Sequence, residues 1–177
     1  MKKLYLILPF TLILCFMVGC QDKAAMAELE ELRAQAEVEE QNVELVRKAF
    51  EAFGKGDMEA YGELVAPDYV YYGPSSTYSL EELKESARVW WASFPDMSFS
   101  MEEIFAVEDK VVFMLMQRGT HTGDFMGIPA TGNKFEISGI LITRIADGKI
   151  VEEWDESDWL GFYQQLGMEL KPKEGEK

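Results

Sequence analysis

The chain is poor in the residues that bind soft metals and nucleic acids. It has one histidine, His121, and two cysteines, Cys15 and Cys20, both within the first twenty residues. A Cys/His zinc site needs about four such ligands, so that metal class is excluded and no metal site is expected, although an all-carboxylate site stays open. Basic residues are scarce as well: 17 Lys and Arg stand against 32 Asp and Glu, a formal charge of −15. A phosphate backbone needs a basic stripe that releases counterions, so no nucleic-acid partner is expected. No internal repeat is visible, and no apolar run reaches the roughly 20 residues of a bilayer span. What is present is 47% apolar and 12% aromatic residues over 177 positions, enough to build one domain with a sizeable core.

The first twenty residues read as an address. Lys2 and Lys3 precede a run from Leu4 to Val18 broken only by Pro9 and Thr11, and the run ends in Gly19-Cys20. A positive start, an apolar stretch and a small residue before the break make a signal peptide over residues 1–19. Met17-Val18-Gly19-Cys20 resembles the bacterial lipobox, in which the cysteine is lipidated and becomes the new N-terminus; an ordinary signal peptide or an uncleaved anchor is the plainer reading. Lipidation at Cys20 would place the domain outside the cytoplasm, held to the cell-envelope membrane by acyl chains, palmitate among them, each buried methylene adding about 0.8 kcal/mol. Processing there leaves 15 basic side chains against 32 acidic ones, a charge of −17. Anionic headgroups repel such a domain, so attachment would rest on the lipid.

Residues 20–41 are expected to form a helical stalk, residues 42–170 a domain and residues 171–177 a charged tail. From Ala24 to Phe53 there is no Gly or Pro, and good helix formers dominate. Leu29, Leu32, Ala36, Glu39, Val43, Val46, Phe50 and Phe53 occupy heptad seam positions with one fault, Glu39. Two readings follow: a spacer whose last apolar residues face the domain core, or a weak coiled coil that makes a homodimer. Gly54 to Asp57 closes the helix, Met58–Val65 reads as a short helix ended by Ala66-Pro67, and Asp68–Tyr72 as extended chain. Gly73–Ser79 reads as a loop. Ser79 with Glu82 three residues on is a capping box that starts a helix running to about Phe94. Alternation then predicts strands over Ser98–Val107, Lys110–Thr122, Phe135–Ile145 and Ile150–Ser157, with Asp147-Gly148 as a hairpin turn and Trp159–Leu166 as a closing helix. Helices first and long strands afterwards indicate an α+β fold with helices covering one face of a curved antiparallel sheet.

Three segments of the strand half carry candidate chemistry. Gly119-Thr120-His121-Thr122-Gly123 holds the single imidazole, Phe125–Gly132 is a loop too apolar for a solvated linker, and Glu153-Trp154-Asp155 lies near the end of the last strand. His121 is either a general acid/base, the usual task of a group titrating near 6.5, or an imidazole hydrogen-bonded at the sheet end. Asp155 is either a carboxylate raised by desolvation or a solvated strand-end acid. Period-2 alternation puts His121 on the side of Val111, Phe113 and Leu115, and Asp155 on the side of Val151 and Glu153.

In register, these segments and their neighbours resemble the SnoaL-like polyketide and ester cyclases of the nuclear-transport-factor-2-like superfamily. The resemblance is carried by Phe53–Asp57 (F-x-x-G-D), Leu64–Val70 (L-x-A-P-D-Y-V), Phe94–Asp96, Asp109–Val112, Gly119–Gly123, Phe125–Gly132 (F-M-G-I-P-x-T-G), Asp147–Asp155 (D-G-K-I-V-E-E-W-D) and Gln164–Gly167. It implies a cone-shaped roll around an apolar pocket, and cyclases that close a ring by acid/base chemistry without metal or organic cofactor. On this reading His121 and Asp155 form the acid/base pair, acting on a small apolar carbonyl compound by cyclisation, isomerisation or hydrolysis. Tyr72, Trp90, Trp91, Phe125, Met126, Glu136 and Trp154 line the pocket, although Trp90 and Trp91 are adjacent on one helix and only one is expected to face inward fully. The alternative is a carrier or sensor lipoprotein that uses the same pocket without catalysis.

Overall fold

The computed structural model describes residues 7–74, 76–169 and 171, with side chains from residue 23 onward. Cys20, the start of the signal segment and most of the charged tail therefore lie outside the described side chains. The first helix, α1, runs over Ile7–Gly54, and the chain divides into two compact units between Val38 and Glu39. In the first unit, Leu29 and Leu32 are exposed. Among the described residues no helix is long and apolar enough to cross a membrane.

The second unit contains the fold. After the end of α1 come α2 (Met58–Gly62), β1 (Val65–Tyr72), β2 (Thr77–Ser79), α3 (Leu80–Ser93), β3 (Ser98–Val107), β4 (Lys110–Thr120), β5 (Lys134–Ala146), β6 (Lys149–Ser157) and α4 (Trp159–Gln165). The strands form one six-stranded sheet in the order β2-β1-β6-β5-β4-β3. Every pairing is antiparallel except β1 with β6, so the sheet is mixed but mainly antiparallel. The expected α+β roll is the fold observed.

Local rules account for most boundaries. Ser79 and Glu82 make the reciprocal capping box at the start of α3, worth about 1 kcal/mol. Asp147 and Gly148 both take positive φ, the turn that matches the twist of the β5–β6 hairpin. Two expectations are corrected. Pro67 lies inside β1 rather than ending a helix, and it is accommodated because the β1–β6 register slips between Val65 and Val70. The β5–β6 register also slips, between Arg144 and Ile145, so Ile150, fully buried, shares the inner face with Glu153 and Asp155, and Val151 does not.

One face of the sheet is covered by two apolar clusters. In the first, Val46, Ala49, Phe50 and Phe53 of α1 pack with Tyr61, Tyr69, Val111, Phe113, Leu115 and Ile150. The second is aromatic: Phe94, Phe125, Phe135 and Phe162 meet edge to face, with centroids 4.9–5.7 Å apart, and Trp90 leans on three of them. Such pairs add about 0.5–1.5 kcal/mol each beyond the area they bury. Both tryptophans of α3 reach inward, contrary to the expectation of one. They diverge by about 100° around the helix, so Trp90 sits among the rings of the second cluster while Trp91 packs at its edge against Phe99, which touches both clusters.

Candidate active site

The two clusters leave a hollow between them. Its volume is about 680 Å³, the size of a site for a small organic molecule. Phe50 and Phe53 come from α1, Trp90 and Trp91 from α3, Phe113 and Leu115 from β4, Leu141 from β5, and Trp159 and Tyr163 from α4. Phe125 and Met126 come from the loop after β4. That loop folds back on itself through paired backbone bonds between Phe125 and Ile128, with positive φ at Met126 and Gly127. Among the described residues, none lining the hollow is Lys, Arg or His.

Four acids line this mostly apolar wall: Glu82 and Glu85 from α3, and Glu153 and Asp155 from β6. Asp155 and Glu153 stand two residues apart on the inner face of β6, 5% and 6% exposed. The Tyr71 hydroxyl donates to Asp155 Oδ2 at 2.7 Å and the Ser157 hydroxyl to Oδ1 at 2.5 Å. Gln117 Nε2 donates to the Ser157 oxygen at 3.5 Å. Room for Ser157 is made by Gly139, its cross-strand partner: a Cβ there would lie 2.1 Å from Ser157 Oγ. Burial pushes the Asp155 carboxyl above the ordinary aspartate range, although Ser157 and Tyr71 oppose the shift. The hydroxyl of Tyr71 is itself pushed well above 10 by burial and by the facing carboxylate, so it stays a neutral donor.

Beside Asp155 is a second buried carboxyl, Glu153, whose oxygens are held by three hydroxyls. Glu153 Oε2 accepts from the hydroxyls of Tyr61 and Tyr69, Oε1 accepts from Thr143 Oγ1 at 3.1 Å, and the two phenols lie 2.8 Å from each other. Burial raises the Glu153 carboxyl against the opposing pull of these donors. Glu153 and the tyrosines were legible only in part: two acids at i and i+2 near the end of an otherwise apolar strand, and tyrosines at 69 and 71 in the same phase of β1, are the signals.

His121 is elsewhere. Asp155 pairs with Leu141 on β5 and Leu141 with Phe113 on β4; His121 follows Phe113 by eight residues, roughly 26 Å of strand at about 3.3 Å per residue. It is fully buried and does not line the hollow. Its ring lies 5.2 Å from that of Phe94, Nδ1 is 3.1 Å from Thr131 Oγ1 and 3.4 Å from the Thr131 amide, and Nε2 has no partner among the described residues. Its backbone bonds to Asn133 and Gly132, so His121 closes the base of the loop that carries Phe125. The structure therefore does not bring His121 together with Asp155.

Three other expected pocket residues also face away from it. Tyr72 and Trp154 are cross-strand partners on the outer face and stack at 5.3 Å and 6°, with the Tyr72 hydroxyl 3.2 Å from Glu152. Glu136 is exposed on β5 and paired with Arg118 at 2.8 Å. All three stand one residue out of phase with the inward set. Trp90, Trp91, Phe125, Met126 and Asp155 do line the hollow.

The family described as SnoaL-like polyketide cyclase matches residues 43–166, which hold every element of this site. The chain belongs to that family. The aklanonic acid methyl ester cyclase DauD of Streptomyces sp. (strain C5) is 34% identical, over 75% of this chain and 86% of its own. Its counterpart DnrD from Streptomyces peucetius is also 34% identical and is covered to 95%. The nogalonic acid methyl ester cyclase of Streptomyces nogalater is 29% identical over 70% of this chain. Among solved structures, IdmH from Streptomyces antibioticus superposes with a TM-score of 0.65 at 34% identity, over 72% of this chain and 99% of that one. TsrD from Streptomyces laurentii gives 0.63 at 30% identity, over 70% and 92%. The SnoaL-like segment thus contains the cavity, the carboxyl pair and the tyrosines.

Proposed function

We propose that the protein is an acid/base enzyme that closes a ring in, or isomerises, a small apolar carbonyl compound, with Asp155 as the group that moves the proton. The observation that carries this is a buried carboxyl with a raised affinity for protons, held by two hydroxyls in the wall of a mostly apolar cavity of about 680 Å³. Partial desolvation strengthens such a base, and aromatic walls hold a ring system against it. The absence of Lys and Arg among the described lining residues favours a neutral ligand, since a buried carboxylate would lack a counterion. A methyl ester, the compound class named for the cyclase relatives, meets that condition.

Turnover of aklanonic acid methyl ester or nogalonic acid methyl ester by the wild type, lost in Asp155→Asn, supports the reading. Equal rates in both proteins overturn it. A second reading, non-catalytic binding by a carrier or sensor, draws on the separation of His121 from Asp155. It predicts saturable quenching of Trp90, Trp91 and Trp159 by the same esters with no product.

The same proposal places the domain outside the cytoplasm on a lipidated Cys20, from the apolar run that ends in Gly19-Cys20. Metabolic labelling with palmitate should mark the wild type and leave Cys20→Ala unlabelled. A homodimer is the remaining proposed partner, and the mass of the acyl-free protein in solution, with and without residues 20–42, decides it.

A further inference from the structure

The oxygens around Glu153 count protons. Glu153 Oε2, the Tyr61 hydroxyl and the Tyr69 hydroxyl form a triangle in which every pair is within hydrogen-bonding distance. Each edge needs one hydrogen. The two phenols supply two, and Thr143 donates its own to the other carboxyl oxygen. With Glu153 ionised, one edge brings two oxygens 2.5–2.8 Å apart with no hydrogen between them, or leaves Oε2 short of a donor. With Glu153 protonated, the three edges hold three hydrogens and all are satisfied. Among the described residues no Lys or Arg stands within 4 Å to favour the ionised form; the neighbours are Tyr61 of α2, Tyr69 and Tyr71 of β1, Thr143 of β5 and Asp155 of β6. Burial raises the proton affinity of the carboxyl and of both phenols, which agrees with the count.

We propose that Glu153 is a neutral carboxylic acid at pH 7 and supplies, through the Tyr61 hydroxyl, the proton taken up by the substrate oxygen as the ring closes. The proposal rests on the acid/base role of Asp155 given above. Tyr61 and Glu153 line the cavity and Tyr69 does not, so the relay leaves the triangle through Tyr61. In balance, Asp155 carboxylate removes a proton from the carbon beside a carbonyl, and the C–H pair becomes an enolate. The enolate carbon bonds to a second carbonyl carbon, whose π pair moves to oxygen. That oxygen takes the Tyr61 proton, and Tyr61 takes the proton of Glu153. Asp155 is then protonated and Glu153 ionised, and one proton passing from the first to the second restores the start, with no co-reactant. Two carboxyls on one face, one kept neutral and one working as base, divide the acid and base tasks by environment. Tyr61 is the catalytic group here, and Glu153 the positioning acid behind it.

Infrared spectra of the full chain carrying ¹³C in its glutamate side-chain carboxyls test the proton directly. At pH 7 the wild type and Asp155→Asn should show the carbonyl band of a protonated, labelled acid, and Glu153→Gln should lack it; a wild type without the band overturns the proposal. With aklanonic acid methyl ester, Glu153→Gln and Tyr61→Phe should each lower kcat on the order of 10²-fold with KM unchanged, and remove the loss of rate at high pH that reports the acid. A kcat within twofold of the wild type in Glu153→Gln overturns the relay. A wild type that does not turn over the ester defeats the cyclase reading and with it the relay, while the band still decides whether Glu153 is neutral. Should Glu153→Gln not fold, Tyr69→Phe opens one edge of the triangle outside the cavity and should shift the acid band; an unmoved band overturns the proposal.

Discussion

Asp155 and His121 sit on the same inner side of one sheet, and the difference between them lies in what covers each. Asp155 faces a hollow that side chains of α1, α3 and α4 line without filling, so a buried carboxyl meets open space on one side and hydroxyl donors on the other. Over His121, Phe94 closes directly on the ring as part of the aromatic cluster, and Thr131 is the side-chain hydrogen-bond partner of the imidazole among the described residues. The comparison teaches that one inner face can hold a titratable residue against open space where packing is left incomplete, and enclose another where it is complete.

The largest expected effect breaks the comparison on the catalytic side. Asp155→Asn should lower ester turnover by about 10²–10⁴-fold, the usual span for a positioned acid/base group, whereas His121→Phe in folded protein should stay within about tenfold. A reversal of the two would return His121 to the site. On the structural side, Phe94→Ala should cost about 3–5 kcal/mol in denaturant unfolding. Phe50→Ala, on the cavity wall, should cost less, because its ring already lacks neighbours on one side. Next come two glycines that separate the regions. A Cβ at Gly123 would meet the Ala92 carbonyl oxygen at 2.5 Å, and one at Gly139 would strike Ser157. Gly123→Ala should therefore lower stability by about 1–3 kcal/mol, and Gly139→Ala should disturb the Ser157–Asp155 bond and lower turnover more than stability. Thr131→Val removes a side-chain partner of His121 and should cost about 1 kcal/mol with turnover unchanged.

The smallest effect is a slope. Asp155 and Glu153 hold their protons more firmly in the native state than in the unfolded chain. The native state therefore binds more protons, and their contribution makes stability fall as pH rises from the unfolded values near 4 towards the raised native ones. Unfolding of Asp155→Asn, followed from pH 4 to pH 7, should show a less negative slope than the wild type. An identical slope would place Asp155 in water.

How much was legible follows from the same contrast. The strands, the capping box and the Asp147-Gly148 turn were readable because each depends on residues a few positions apart. The face of Asp155 was readable from alternation, and so was its company with Glu153. The role of His121 was not, since the motif around it says that it lies inward but not that Phe94 arrives on top of it. Tyr72, Trp154 and Glu136 were drawn to the site by chemistry that suits a ligand, and phase alone sends them outward. The roles of Tyr61, Tyr69 and Tyr71 are not legible locally, because a tyrosine becomes a donor to a carboxyl only when elements far apart in the chain come together, as α2 and β1 do with β6.

By itself the sequence determined the α+β roll, the order of its elements, the charge, and membership in a family whose motifs run through the domain, because period, caps and turn residues act locally. Only the tertiary structure decided which inward residue faces space, which meets another ring and which carboxyl shares its protons with phenols. Those outcomes depend on how far a helix stands from a sheet, a distance set by the summed packing of residues spread over the whole chain.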